Sequence, residues 1–101
     1  MLRVRKAKVQ RPHSPAYYRA LRKDYDIALI QANLNLVAHA KRLKKSRSAI
    51  SNFFRYSEAA DLERTLIEFI DEQFDKRGWT PGYRAELARE ALKKAEKKEA
   101  A

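Results

Sequence analysis

The chain has 101 residues, enough for a single domain with a modest core, and its 45% hydrophobic and 36% charged residues with only two Gly and three Pro predict an all-α fold with few tight turns. Having no cysteine, it is excluded from disulfide, thiolate-zinc and thiol chemistry, and no stretch approaches the roughly 18 apolar residues of a membrane span. The net charge of +10 is lopsided: residues 1 to 55 carry 14 Lys or Arg against Asp24 and Asp26, a net of +12, while residues 56 to 101 carry 9 against 11 acids, a net of −2.

Residues 1 to 13 alternate basic and small side chains without a helical stripe, which predicts a flexible basic arm. Arg3, Arg5, Lys6, Lys8 and Arg11 are placed to follow a phosphate backbone or enter a minor groove, unless the segment is a tail with only diffuse affinity. Ser14-Pro15 is a helix start: Ser caps orphan amides, and Pro at the first helical position loses nothing by lacking an N–H. The apolar positions Tyr18, Leu21, Tyr25, Ala28, Leu29 and Ala32 then recur on one helix face. Tyr17 and Tyr18 are expected to pack.

Asn33 and Asn35 interrupt the run and offer a cap for a second helix from about Leu36 to Leu43, with Leu36, Ala40 and Leu43 on one face. Ser46 caps a third helix to about Tyr56. Ile50, Phe53 and Phe54 point inward in it, while Arg47, Ser51, Asn52 and Arg55 fall on the other side. Ser57 is read as the cap of a long helix ending at Lys76 or Arg77, with Gly78 as its stop. Its apolar set of Leu62, Leu66, Ile67, Phe69, Ile70 and Phe74 is wider than one stripe, so Leu62, Leu66, Phe69, Ile70 and Phe74 are expected to form an oligomer interface. Thr80-Pro81 repeats the Ser-Pro logic for a last helix carrying Tyr83, Leu87, Ala91 and Leu92. Beyond Lys93 only Lys, Glu and Ala remain, predicting a frayed end or a solvated helical tail.

A helix-turn-helix needs a small residue in its first helix where the second crosses it, an apolar residue before the turn and an inward apolar residue midway along the second helix. Ala40, Leu43 and Ile50 meet these needs. The stretch from Ala28 to Asn52 also resembles the Fis-type helix-turn-helix of bacterial and phage DNA-binding proteins, with Ala28, Leu29, Asn35, Ala40, Leu43, Ser46, Arg47 and Ile50 in register. It departs from that pattern at Leu34, His39, Lys44-Lys45 and Ala49. At Lys44-Lys45 the family has Gly and an aliphatic residue, so the turn is either built differently or converted into a clamp on phosphate, the reading preferred here. The resemblance implies a recognition helix over 46–56. On that register Arg47, Ser48, Ser51 and Asn52 face base edges, and Lys41, Arg42, Lys44, Lys45, Ser46 and Arg55 contact phosphate.

His13 and His39 have no partner at metal-ligand spacing, and His39 is expected on the surface or against phosphate. Glu68, Asp71, Glu72 and Asp75 form an acidic stripe that reads as a solvated face or a dock for a basic partner subunit. No phosphate loop or nucleophile–base pair is visible, so the expectation is a non-enzyme without metal or cofactor.

The sequence thus predicts a five-helix, all-α, single-domain protein that binds double-stranded DNA with sequence preference. It divides into an arm (1–13), a helix-turn-helix region (14–56), a helical pair for oligomerisation or partner docking (57–95) and a tail (96–101). The leading expectation is a cytoplasmic, nucleoid-associated bacterial or phage transcriptional regulator acting as a homodimer, with no membrane or small-molecule partner. Two alternatives are a DNA-packaging adaptor resembling the ring-forming small terminase subunits of phages, and a module binding RNA or an acidic protein.

Overall fold

The computed structural model of the chain describes residues 12–55 and 60–100, with side chains up to residue 97. Arg3, Arg5, Lys6, Lys8 and Arg11 of the expected arm lie outside these residues, as does the expected Ser57 cap. Five helices make an all-α domain: α1 (Pro15–Gln31), α2 (Leu36–Arg42), α3 (Arg47–Arg55), α4 (Ala60–Asp75) and α5 (Gly82–Ala100). None is long and apolar enough to cross a membrane.

The helix starts follow local chemistry. Ser14 Oγ accepts from the Tyr17 amide at 3.2 Å, Asn35 Oδ1 from the Ala38 amide at 2.7 Å, and Ser46 Oγ from the Ala49 amide at 3.0 Å. The ends of α1, α2 and α4 share one device, in which a left-handed residue turns the chain and the next amide reaches back to the helix. Asn33 (φ 59°), Lys44 (φ 59°) and Gly78 (φ 69°) occupy that position. The closing bonds run from Leu34 N to Leu29 O (2.9 Å), from Lys45 N to Ala40 O (2.9 Å) and from Trp79 N to Phe74 O (3.0 Å). Trp79 also packs edge-on against Phe74 across the last of these turns.

Helix α1 is the centre of the fold, packed against α3, α4 and α5. Its stripe supplies Tyr17, Tyr18, Leu21, Tyr25, Ala28 and Leu29 to the core, joined by Ala40, Ile50, Phe53, Phe54, Leu62, Leu66, Ile70, Phe74 and Tyr83. Burying so many large side chains supplies the main drive to fold, at about 1.5–3 kcal/mol for each fully buried Leu, Ile or Phe.

This core corrects the expected oligomer interface. Leu62, Leu66, Ile70 and Phe74 are buried within the single chain and Phe69 is half-buried against the same cluster. The wide apolar face of α4 is therefore consumed by α1 and α3, because Tyr17, Tyr25 and the α3 phenylalanines are large enough to cover it. Nor do α4 and α5 stand as a separate helical pair, since each docks on α1. The acidic stripe of α4 is partly spent on α5: Asp71 Oδ1 accepts from the Tyr83 hydroxyl at 2.8 Å and pairs with Arg84 at 3.0 Å, while Glu68, Glu72 and Asp75 are exposed.

Helix α5 differs from its expected form at its start and in its packing. Its start is capped from across the core by Asp24 of α1, whose carboxylate oxygens accept from the Gly82 amide at 2.9 Å and the Tyr83 amide at 2.8 Å. Burial pushes this carboxyl upward in pKa, and the two amide donors oppose that shift. A side chain at Gly82 would crowd Asp24, since a Cβ there would stand 3.3 Å from Oδ1. At the other end the helix continues to Ala100 as the solvated helical tail, one of the two forms expected there, but Ala91 and Leu92 are exposed rather than packed.

His13 is not part of a free arm. Its Nδ1 meets Glu90 Oε1 at 2.9 Å and its ring lies 4.3 Å from that of Tyr17. Glu90 Oε2 accepts from the Ser14 amide at 2.9 Å, so one carboxylate ties α5 to the start of α1. Partial desolvation of Glu90 is outweighed by these bonds, which hold its pKa below the usual value.

Candidate nucleic-acid interface

Helices α2 and α3 pack together with a four-residue connection, Leu43 to Ser46, between them. The inward requirements of a helix-turn-helix are met: Ala40 and Ile50 are buried, and Leu43 is half-buried against the core. Phe53 and Phe54 anchor α3 beneath, with Tyr18 edge-on to Phe53 at 6.2 Å and Tyr25 against Phe54 at 5.8 Å. Tyr17 and Tyr18 are both buried, as expected of packing residues.

In the turn Lys44 takes a left-handed conformation (φ 59°), and Lys45 lies exposed with its amide bonded back to Ala40 at 2.9 Å. Holding a non-glycine residue there costs about 1 kcal/mol. Lys44 places a charge at the apex of the turn.

The contact residues expected on α2, the turn and α3 are at the surface. Lys41, Arg42, Lys44, Lys45, Ser46, Arg47, Ser48, Asn52 and Arg55 are exposed, and Ser51 is half-buried. Ser46 is occupied as the cap of α3, leaving its hydroxyl hydrogen for a further acceptor. From Ile27 to Ser57 the sequence contains no acid at all, while Lys41, Arg42, Lys44, Lys45, Arg47 and Arg55 fall within it. Elsewhere some cations are paired, while others such as Arg19, Lys23 and Lys93 are exposed without an ion pair among the described residues. Arg22, Arg64, Arg84 and Arg89 are each within 3.5 Å of a carboxylate. Among the described residues, Lys41, Arg42, Lys44, Lys45 and Arg47 have no such partner.

His39 stands apart from the expected surface set. It is buried, its Nδ1 hydrogen-bonded to the Tyr25 hydroxyl at 2.7 Å and its ring stacked on Phe69 at 4.1 Å. Burial, with Arg42 nearby, lowers its pKa, so the ring is neutral and serves as a wedge joining α2 to α1 and α4. The sequence signal for this was its position: His39 precedes buried Ala40 in a seven-residue helix, on the side facing α1 and α4. No group of three or more potential metal ligands occurs among the described residues.

No family model, curated protein or solved structure matches the chain.

Proposed function

We propose that this protein binds double-stranded DNA with sequence preference, α3 serving as the recognition helix in the major groove. The observation that carries the reading is an acid-free, outward-facing set of uncompensated cations built around a helix-turn-helix whose buried residues meet the motif's packing needs. Arg47, Ser48, Ser51 and Asn52 are the base readers, with Arg47 suited to a bidentate pair with guanine and Asn52 to one with adenine. Lys41, Arg42, Lys44, Lys45, Ser46 and Arg55 hold phosphate, which positions the helix without carrying sequence information. The resemblance to Fis-type units makes a small bacterial or phage regulator the leading use, a binding protein and not an enzyme.

One such unit reads only a few base pairs, so the proposal includes a second copy on a second half-site. With the apolar face of α4 consumed internally, that contact would draw on the exposed apolar side chains Ile27, Ile30, Val37, Trp79 and Leu92.

Selection of bound sequences from random duplex DNA, followed by competition with RNA of equal length, tests the proposal. An enriched motif and a clear preference for duplex DNA are expected. No enriched motif, or equal affinity for RNA, would overturn it.

A further inference from the structure

We infer that the DNA contact does not end at α3 but continues along a basic track across α1 and α5, which grips the phosphate backbone of the flanking duplex. This inference rests on the DNA-binding reading above and extends its footprint to residues that the helix-turn-helix pattern leaves out.

Two grooves make the track. The first, of about 800 Å³, lies between the exposed side of α1 and the end of α3, and holds Arg19, Arg22, Lys23 and Arg55 with Asp26 and Glu86. The second, of about 460 Å³, lies between the start of α1 and the middle of α5, and holds Arg19, Arg89 and Lys93 with Glu86 and Glu90. They share Pro15, Ala16, Arg19 and Glu86, so they form one continuous depression.

The carboxylates in it are already engaged within the protein. Asp26 pairs with Arg22 at 3.4 Å, Glu86 with Arg89 at 2.6 Å, and Glu90 is bound by His13 and the Ser14 amide. Arg19, Lys23 and Lys93 are exposed and, among the described residues, in no ion pair. What remains is a set of cations outside any ion pair, with Arg19 in both grooves, Lys23 in the first and Lys93 in the second. Arg22 is held at the groove wall with its guanidinium 5.2 Å from the Phe54 ring centre.

The link to the reading helix is Arg55. Ser48, Ser51, Asn52 and Arg55 follow one another at i, i+3, i+4 and i+7, so they lie on one stripe of α3. A duplex whose base edges meet Ser48 and Asn52 therefore presents its next phosphates at Arg55, where the first groove opens. Because duplex DNA carries about one charge per 1.7 Å of axis, a row of cations at side-chain spacing can neutralise successive phosphates. A polyanion fits such a depression better than a compact ligand, since its cations come from α1, α3 and α5 and are distributed over both grooves.

The test compares the full chain with Arg19→Ala/Lys23→Ala/Lys93→Ala, all exposed positions, on random-sequence duplexes of about one and about two helical turns, roughly 10 and 20 base pairs. Thermal unfolding first verifies that the variant is folded. On the longer duplex the variant should lose affinity by about fivefold per lost contact near physiological salt, and its salt slope should fall by about 0.9 per contact. On the shorter duplex it should match the parent. Equal affinity and slope on the longer duplex would overturn the track, as would equal losses on both lengths, which would place these residues in the central site. Lys44→Ala run alongside separates the two proposals: if it weakens both duplexes while the triple variant weakens neither, the track fails and the recognition unit stands.

Discussion

Replacing Lys44 by Gly should make the protein more stable and a poorer DNA binder at once. Lys44 sits at φ 59° in the helix-ending turn, with its neighbour's amide closing on Ala40 at 2.9 Å. Relieving the left-handed strain is worth about 1–2 kcal/mol, and the extra freedom of glycine in the unfolded chain returns about 0.5–1 kcal/mol. A net gain of about 0.5–1 kcal/mol raises the melting temperature by roughly 2–6 °C for a domain of this size. Removal of one phosphate contact should lower the salt slope by about 0.9. Asn33→Gly is the internal control, because Asn33 has the same φ and the same turn at the end of α1 but no charge. It should stabilise slightly and leave DNA affinity unchanged. Circular-dichroism melts and anisotropy titrations at several salt concentrations read both quantities. Should Lys44→Gly lower the melting temperature, or leave affinity and slope at the parental values, the view of Lys44 as a strained residue held in place for its charge is wrong.

Other consequences follow from the buried polar groups. Gly78→Ala should cost about 1 kcal/mol in a denaturant titration; a Cβ there meets nothing within 4 Å, so the loss reports backbone strain alone. Asp24→Ala orphans the Gly82 and Tyr83 amides and should cost about 2–4 kcal/mol, read by urea unfolding through the fluorescence of Trp79, the only tryptophan. His39 is depressed in pKa by burial, so the unfolded chain takes up its proton first as pH falls. Its contribution is complete above the ordinary histidine value of about 6.5 and is lost as pH drops from there toward the folded value. The difference in stability between the parent and His39→Gln should therefore shrink on acidification from about pH 7; a constant difference would contradict the buried, neutral ring.

The parts legible in the sequence are those governed by neighbours along the chain. Ser14, Asn35 and Ser46 cap as their positions suggest, and the apolar spacing of α1 and α3 selects the residues that are buried. Gly78 ends α4 for the reason a glycine usually does. Misread features depend on what lies across the core. The face of α4 reads as an oligomer interface because a one-dimensional pattern shows that a surface is apolar but not what covers it; α1 and α3 do so here. Asp24 enters the sequence reading only as one of two acids in a basic half, yet it takes the capping place expected of Thr80 at α5 from 58 residues away. His39 was placed with the surrounding cations by charge, whereas its contacts with Tyr25 and Phe69 bury it. In the candidate interface the exposed basic set follows from the absence of acids in the surrounding sequence, while the basic track over α1 and α5 emerges only when the folded grooves bring Arg19, Lys23 and Lys93 into line.

The central claim is that α3 reads bases while the turn holds phosphate, and the specificity ratio of Arg47→Ala tests it most directly. On the selected sequence this variant should lose about 1–3 kcal/mol, roughly 5- to 150-fold, with a far smaller loss on random duplex DNA, while Lys44→Ala weakens both alike. Equal losses by Arg47→Ala on selected and random DNA would contradict the account.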